Sequence, residues 1–346
     1  MGINIGLGLY PHLLTRETFR FARQAGATHI VAHLPGWNKR IGRGLPPEAM
    51  WTEAELRSLK EALEDEGLRF YAIENFEVEH WYDVLLDGPK RAAQIEGLKQ
   101  LLRTMGRLGI EVMGYNFSLA NVWGRVRVPH ARGGAMTPAY IAEQAPEETP
   151  IPRGTVWNVQ YDKDAPPGDV GQLSEDALWE RFERFLKDLV PVAEEAKVRL
   201  AMHPADPPFG ELRGTARLVW KPEHYQRFFD LYPSHYHCAE FCQGTIAEMD
   251  GEMDVYEAIE RYTAQKKIAY VHFRNVRGKV PHYVEEFVDA GDVDMVKAIR
   301  LYHKHGFDGV LIPDHSPEMA CGAPWHAGMA YALGWMRATV QIVESE

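Results

Sequence analysis

Short apolar runs alternate with amphipathic stretches along most of the 346-residue chain. The runs are rich in Ile, Val and Ala, end at a polar residue or a glycine, and have the length of buried strands. The stretches between them space their apolar residues as a helix does, as at Leu56, Leu59 and Leu63. The pattern predicts strands at 3–7, 28–34, 68–74, 110–117, 198–203, 234–240, 268–273 and 309–314.

Helices are predicted between these strands from their start and stop signals. Thr52 and Glu55 form the pattern of a capping box, and Gly67 stands where the same helix should stop. The predicted helices cover 15–24, 52–66, 90–108, 174–196, a segment from Pro222, 254–263, a segment from Asp292, and 325–342.

The repeated order of strand and helix is typical of one fold. Roughly eight such units are the number that closes a (β/α)₈ TIM barrel. An open doubly wound sheet is the alternative, but no Gly-rich phosphate-binding fingerprint follows the first strand. We therefore predict an α/β fold with a single TIM-barrel domain over residues 1–346.

Residues 118–172 interrupt the alternation. This segment follows the fourth predicted strand, is rich in Pro, Gly and Arg, and has no strong hydrophobic period. A loop of this length in a compact domain is usually functional or disordered. We predict a long loop insertion over the active-site face, serving as a lid or as an oligomer contact.

The charge balance limits the classes of partner. Lys and Arg total 38 against 49 Asp and Glu, which gives a formal net charge of −11. An acidic surface repels phosphate backbones and anionic lipids, so we expect no nucleic-acid or membrane partner. An anionic substrate would have to be bound by local arginines or by a metal ion.

Cysteine content and the N-terminal segment bear on the compartment. Cys238, Cys242 and Cys321 are too few for a disulfide framework and fit a reducing cytosol. The first residues have no basic region of a signal peptide, and no apolar run is long enough to span a bilayer. We expect a soluble, cytoplasmic protein.

Candidate chemistry appears where the later strands end. The fifth strand ends at His203, the seventh at His272, and the eighth at Asp314 followed by His315. Taken singly, such a His is more often structural, a buried Cys is a small hydrophobe, and an Asp is a helix cap. Because active sites of these barrels lie at the carboxyl ends of the strands, four such endings in succession favour a divalent-metal site. In the sixth strand the spacing leaves Cys238, Glu240 and Cys242 open, since all three would share one face.

Several motifs make the chain resemble the mannonate dehydratase family of the xylose-isomerase-like TIM barrels. They span nearly the whole sequence, and the His-Pro-x-Asp-Pro-Pro and Pro-Asp-His elements are the most specific. The matching segments are 23–28, 51–67, 109–117 with Trp123 and Arg125, His-Pro-Ala-Asp-Pro-Pro at 203–208, Phe-Cys-Gln-Gly at 241–244, His-Phe-Arg at 272–274, Gly-Asp-Val-Asp-Met at 291–295, and Pro-Asp-His at 313–315.

The resemblance implies a ligand set and catalytic residues. Carried over position by position, the family's metal ligands correspond to His203, Cys242, His272 and Asp314. The implied ion is Mn²⁺, although a thiolate ligand would also accept Fe²⁺, Co²⁺ or Zn²⁺. His315 corresponds to the family's catalytic histidine, and His326 stands where we place its partner tyrosine. Candidate substrate-binding residues are Arg274, Arg125, Trp123 and Asn116.

The sequence departs from the family pattern at several substrate-facing positions. Val122 replaces an acidic residue, Ala205 replaces the second position of the His-Pro motif, and Ile312 replaces an arginine. Family histidines before residue 291 are also missing, although Glu285 is present. This pattern suits a divergent member with an altered substrate or reaction.

These features together predict a lyase of carbohydrate metabolism. The expected reaction is metal-dependent dehydration of a sugar acid, D-mannonate or a related hexonate or uronate, to a 2-keto-3-deoxy acid. The expected partners are a small sugar acid and further copies of the chain in a homo-oligomer. The alternatives are a metal-dependent sugar or sugar-acid isomerase or epimerase of the same barrels, and an inactive sugar-acid-binding paralogue.

Overall fold

The strands of the protein form one closed barrel and three smaller sheets in a computed structural model that describes residues 2–37, 39, 42 and 48–346. In chain order the strands are β1 (Asn4–Leu9), β2 (His29–His33), β3 (Arg69–Glu74), β4 (Val112–Tyr115), β5 (Val126–Ala131), β6 (Ala135–Ile141), β7 (Thr155–Val156), β8 (Val159–Gln160), β9 (Arg199–Met202), β10 (Glu211–Leu212), β11 (Thr215–Ala216), β12 (His237–Cys242), β13 (Ile268–His272), β14 (Asn275–Lys279), β15 (His282–Glu286) and β16 (Val310–Ile312).

Eight of these strands close the barrel in the order β1-β2-β3-β4-β9-β12-β13-β16, with β16 pairing back to β1. All neighbouring pairs in this ring are parallel. Each barrel strand overlaps one of the eight strands predicted from the apolar runs. The predicted TIM barrel is therefore confirmed.

Helices lie between the barrel strands, close to the predicted bounds. The predicted capping box is present, since the Thr52 side chain accepts from the Glu55 N–H and the Glu55 carboxylate accepts from the Thr52 N–H. In chain order the helices are α1 (Arg16–Gln24), α2 (Glu53–Glu64), α3 (Tyr82–Leu86), α4 (Arg91–Leu108), α5 (Glu175–Ala196), α6 (His224–Asp230), α7 (Gln243–Glu248), α8 (Val255–Ala264), α9 (Met295–Lys304) and α10 (Pro324–Ser345).

Alternating side chains of each barrel strand serve two different cores. On β12, Ala239 and Phe241 belong to the large apolar core that includes the helices. Cys238 instead belongs to a smaller cluster with Val112, Ala201 and other strand residues. Because side chains alternate along a strand, Glu240 and Cys242 share the face of Cys238 and point toward the barrel axis.

Residues 118–172 are not the irregular loop that the sequence predicted. They carry β5 to β8, and β6 pairs antiparallel with β15 from the other end of the chain. The result is a four-stranded sheet in the order β14-β15-β6-β5. The segment has no hydrophobic period because its strands are short and separated by turns.

Within the part of the chain that the structure describes, no helix has both the length and the apolar character needed to cross a bilayer.

Candidate active site

A cavity of about 250 Å³ opens where the barrel strands end. Many of its lining residues come from different barrel strands and lie at or near a carboxyl end. Carboxyl ends of parallel barrel strands converge on one rim, so residues far apart in sequence meet there. The strand-end residues on the lining are Tyr10, His33, Glu74, Asn116, His203, Glu240, His272 and Asp314.

Three of the four predicted metal ligands form a tight group. His203, Cys242 and His272 each offer a ligand atom, and these atoms all lie within 4.8 Å of one another. Strand register explains the proximity, because Cys242 and His272 are direct partners in the β12–β13 pair. His203 follows β9, which neighbours β12. Its Nδ1 lies 2.7 Å from the Pro204 carbonyl and donates to it, so Nε2 is the nitrogen that faces Cys242 and can bind an ion.

Asp314 lies beside this group rather than within it. Its Oδ2 is 3.5 Å from His272 Nδ1 and 3.2 Å from Arg274 Nε. The residue directly follows the Pro313 that ends the β16 run and has a left-handed backbone with φ of 57°. That conformation is uncommon for a residue other than glycine and turns its carboxylate toward the neighbouring strand end.

The two barrel thiols have opposite surroundings, which distinguishes them chemically. Burial raises the pKa of Cys242, but the charge of Arg274 and hydrogen bonds with His203 and His272 outweigh it and hold that pKa well below its usual range. Burial also raises the pKa of Cys238, and its thiol donates to the Leu200 carbonyl at 3.4 Å. Cys242 is therefore a thiolate, the form that binds metals, and Cys238 is a neutral thiol.

The half-buried carboxylate of Glu74 and the buried carboxylate of Glu240 lie next to His272 and were missed as a group by the sequence analysis. His272 Nε2 is 3.3 Å from Glu74 Oε2 and 3.2 Å from Glu240 Oε1. Gly114 on β4 makes room for them, because a Cβ there would collide with the Glu240 carboxylate and the Tyr270 hydroxyl. A signal for Glu74 existed, since it ends the third apolar run as His203 ends the fifth.

These two carboxylates have different charge states. Burial, followed by the charge of Glu74, raises the pKa of Glu240 to about 8. Burial also opposes ionisation of Glu74, but the charge and hydrogen bond of His272 lower its pKa well below the usual range. Glu74 is thus the anion of the pair and Glu240 holds a proton at neutral pH.

His315 lies on the cavity wall with a buried carboxylate behind it. Its Nδ1 is 3.0 Å from Glu285 Oε2, and its Nε2 is 3.6 Å from Asp314 Oδ1. Burial lowers the pKa of His315, but Asp314 and Glu285 outweigh it and raise that pKa to about 9. Glu285, 2% exposed on β15, fixes the ring orientation and leaves Nε2 as the other reactive nitrogen.

The structure places His326, the predicted partner in proton transfer, away from the cavity lining. His326 lies on α10 and is not on the cavity lining. Its ring contacts Phe21 of α1, with centroids 4.8 Å apart, and Trp325 at 5.0 Å. In the first turn of α10 the ring thus packs against α1. Tyr10, just after β1, is instead the tyrosine that lines the cavity beside Asp314 and His315.

The sequence analysis gave Arg274 as a candidate to bind the substrate. In the structure its guanidinium is not positioned to clamp a substrate carboxylate. It is 2% exposed and is not on the cavity lining. Its guanidinium is already used by Glu248 at 2.5 Å, by Asp206 at 3.1 Å and by Asp314 at 3.2 Å. Arg274 therefore forms buried ion pairs with these three carboxylates. Arg125 does line the cavity, but it is also paired with Asp206 and, at 3.2 Å, with Glu285.

The remaining two substrate-binding candidates differ in position. Asn116 lines the cavity, and its Nδ2 donates to the Pro204 carbonyl at 3.2 Å. Trp123 does not line the cavity, because its ring stacks under the Arg213 guanidinium at 4.2 Å. The cavity tryptophan is Trp157, which the sequence analysis did not single out.

The donor atoms in the cavity fit a divalent metal ion. Two imidazoles and a thiolate are ligands that first-row transition metals bind well. His272 Nδ1 and Glu240 Oε2 are also buried without a hydrogen-bond partner among the described residues. Buried polar atoms are normally satisfied, so an ion is a natural partner for His272 here.

Comparison with known proteins points to one family. A family model described as D-mannonate dehydratase (UxuA) matches residues 17–161 and 168–337. The chain is 31% identical over 281 residues to the mannonate dehydratase of Streptococcus suis (strain 05ZYH33), covering 78% of this chain and 76% of that relative.

Solved structures share the fold. The crystal structure of mannonate dehydratase from Streptococcus suis serotype2 has a TM-score of 0.78 at 24% identity, over 99% of this chain and 94% of that one. A xylose isomerase domain protein from Planctomyces limnophilus has a TM-score of 0.61 at 12% identity, over 100% of both chains.

Proposed function

The chain belongs to the D-mannonate dehydratase family, a family of lyases, and on that premise we propose that it is a divalent-metal-dependent sugar-acid dehydratase. Its substrate is D-mannonate or a related hexonate or uronate, and its product is a 2-keto-3-deoxy acid. The observation that carries this proposal is that His203 and His272, grouped with Cys242, line the same cavity as His315, which Glu285 orients from behind. Dehydration needs both an electrophile and a proton-transfer residue at one substrate.

His203, Cys242 and His272 would hold the ion, with Asp314 as the fourth ligand. A bound divalent ion would supply Lewis-acid stabilisation of the negative charge that develops when the C2 proton leaves. Manganese is our first choice, and iron, cobalt or zinc are compatible with the thiolate. The low pKa of Cys242 supports this ligand set, because only the thiolate binds a metal strongly.

Proton transfer falls to the two residues that line the cavity next to Asp314. In the reaction a base takes the proton from C2, and an acid protonates the 3-hydroxyl, which leaves as water. The enol that remains takes up a proton at C3 and gives up the proton of its 2-hydroxyl, which yields the 2-keto-3-deoxy acid. His315, oriented by Glu285, is one of the pair. We propose Tyr10 as the other, since desolvation of its hydroxyl and the charges of Asp314 and Glu74 raise the pKa of that hydroxyl and keep its proton in place.

Residues 118–172 cover part of the cavity in this proposal. Asn121, Val122, Arg125 and Trp157 all lie on its lining, which supports a role for the segment in enclosing the substrate. We also propose that the protein is cytoplasmic and that it forms a homo-oligomer. The presence of only three cysteines supports the cytoplasmic placement.

The test is product analysis with metal-loaded protein. Hexonates and uronates, D-mannonate first, are incubated with the protein, and 2-keto-3-deoxy acids are measured with and without a chelator. A chelator-sensitive 2-keto-3-deoxy product supports the proposal. Recovery of an epimer or a ketose with no deoxy product would instead support the isomerase or epimerase alternative. A panel is needed because Val122, where the family has an acidic residue, lies on the lining.

A further inference from the structure

Arg217 is a buried cation that lines the cavity without a carboxylate partner. It directly follows β11, is 1% exposed and contributes to the cavity lining. Its Nη2 donates to the backbone carbonyl of Asp206 at 3.1 Å. Nε and Nη1 are buried and have no hydrogen-bond partner among the described residues.

This arrangement is costly unless a ligand completes it. Burial lowers the pKa of Arg217 to about 10, and the charges of Asp206 and Tyr283 do not offset it. A buried N–H without an acceptor loses its water and gains nothing in return, and the penalty is larger when the group is charged. Native proteins rarely keep such a group unless it has a purpose.

The other arginines of this region are already satisfied. Arg125 and Arg274 share Asp206 between them and also contact Glu285. The guanidinium of Arg213, four residues before Arg217, donates to Asn158 and to the carbonyls of Thr149 and Pro150. Among the described arginines that line the cavity, Arg217 is the one with free donors and no ion pair.

We propose that Arg217 binds the carboxylate of the sugar acid. This rests on the proposed function, because it assumes that the ligand is an acid. Several carboxylates line the same cavity, Glu74, Asp206 and Asp314 among them, so an anionic substrate needs a strong local donor. The guanidinium presents N–H groups in a planar fork that matches a carboxylate. Arg217 takes the role that the sequence assigned to Arg274.

The test compares an acid with its neutral analogue in equilibrium binding. A 3-deoxy aldonate cannot lose the 3-hydroxyl, so it binds metal-loaded protein without turnover. Its amide has the same skeleton and no charge. Calorimetry of wild type, Arg217→Gln and Arg217→Lys gives a dissociation constant for each ligand. Arg227→Gln is the control, because it removes one positive charge as Arg217→Gln does. Arg227 pairs with Glu175 on the outer helices.

Arg217→Gln should weaken binding of the acid about 10- to 100-fold and leave the amide almost unchanged, as expected for loss of a charge-assisted hydrogen bond. Arg217→Lys keeps the positive charge without the planar fork, so its affinity for the acid should be intermediate. This variant also tests the proposal if Arg217→Gln folds poorly. Arg227→Gln should bind both ligands as wild type does. Equal loss for acid and amide in both Arg217 variants, or no loss in either, overturns the proposal.

The two proposals fail in different ways. If Arg217→Gln abolishes the preference for acid over amide while no substrate yields a 2-keto-3-deoxy product, the carboxylate assignment stands and the dehydratase proposal falls. If wild type forms the product and Arg217→Gln keeps both its KM and its acid affinity, the dehydratase proposal stands and the assignment of Arg217 falls.

Discussion

Cys238 and Cys242 lie four positions apart on the same face of β12, yet their thiols differ in chemistry. Both point toward the barrel axis from β12. Cys238 lies deeper, in an apolar cluster with a single backbone acceptor. Cys242 lies at the strand end, where His203, His272 and Arg274 supply positive charge. The sequence spacing alone could not separate the two, because depth in the barrel is a property of strand register.

The contrast predicts different effects of the same substitution. Cys242→Ser should weaken metal retention at least about tenfold, since an alcohol is a much poorer ligand than a thiolate. Cys238→Ser should leave the metal content close to that of wild type. Elemental analysis after dialysis against a graded chelator measures both. Equal losses in the two variants would mean that Cys242 is not a ligand.

His315 is placed to transfer a proton without holding the metal ion. His315→Asn should retain the fold and the metal but lose turnover about 100-fold or more, the usual contribution of a positioned acid or base. Steady-state kinetics together with metal analysis test this. If His315 only orients Asp314, the same variant should lose metal affinity in parallel with rate.

Exchange of the C2 hydrogen with solvent deuterium assigns the direction of proton transfer. Loss of exchange in His315→Asn would make His315 the C2 base. Exchange that persists at the wild-type rate would leave it as the acid that protonates the 3-hydroxyl, and Tyr10→Phe would then be the variant that loses exchange.

The positions of site residues were predictable only where a strand end and a family motif coincided. His203, His272 and His315 satisfy both conditions and line one cavity, and Cys242 lies beside the two ligand histidines. His326 rested on a loop alignment alone, and α10 directs it to Phe21. Arg274 was chosen for its charge, yet a sequence does not reveal which buried carboxylates will form ion pairs with a guanidinium.

Among the elements, the barrel strands and helices were predictable because their signals are local. An apolar run followed by an amphipathic stretch needs no information from the rest of the chain. The four-stranded sheet is different, because β6 pairs with β15 and the Thr137–Glu285 contact joins residues 148 positions apart. Pairing between segments this far apart in the chain has no signature in a local pattern of residues.

That contact links the sheet to the catalytic residues. Thr137 of β6 is fully buried, and its hydroxyl donates to the Glu285 carbonyl at 2.9 Å. Glu285 in turn orients His315. Thr137→Val should therefore lower kcat several-fold with unchanged metal content and reduce the free energy of unfolding by about 1 kcal/mol. Denaturant unfolding and steady-state kinetics are the measurements.

Thr263→Val provides a matched control on α8. The Thr263 hydroxyl is buried and has no hydrogen-bond partner among the described residues, so its loss removes no contact. This variant should be as stable as wild type or slightly more stable, with wild-type kcat. A loss of kcat in Thr263→Val equal to that in Thr137→Val would mean that the sheet contact is not specific.

At the scale of the whole molecule, the metal group joins three neighbouring barrel strands. His203 follows β9, Cys242 ends β12 and His272 ends β13. These strands are neighbours in the closed barrel although they are separated along the chain by helices. An ion held by all three binds the folded barrel far better than the unfolded chain, in which the ligands are dispersed. Metal binding is therefore coupled to the stability of the entire domain.

Removing the metal should therefore lower the melting temperature. An ion present at 100 times its Kd adds about 2.7 kcal/mol to the free energy of unfolding, and the corresponding rise in Tm for a domain of this size is a few degrees. Chelated wild type should melt at the lower temperature, and added Mn²⁺ should restore the higher one. His272→Ala should give the same Tm with and without Mn²⁺, because it removes the ligand that links the ion to β13. As the control, Cys238→Ser should show the same rise in Tm with Mn²⁺ as wild type. Calorimetric scans at several Mn²⁺ concentrations test this, and a shift in His272→Ala as large as that in wild type would place the ion elsewhere.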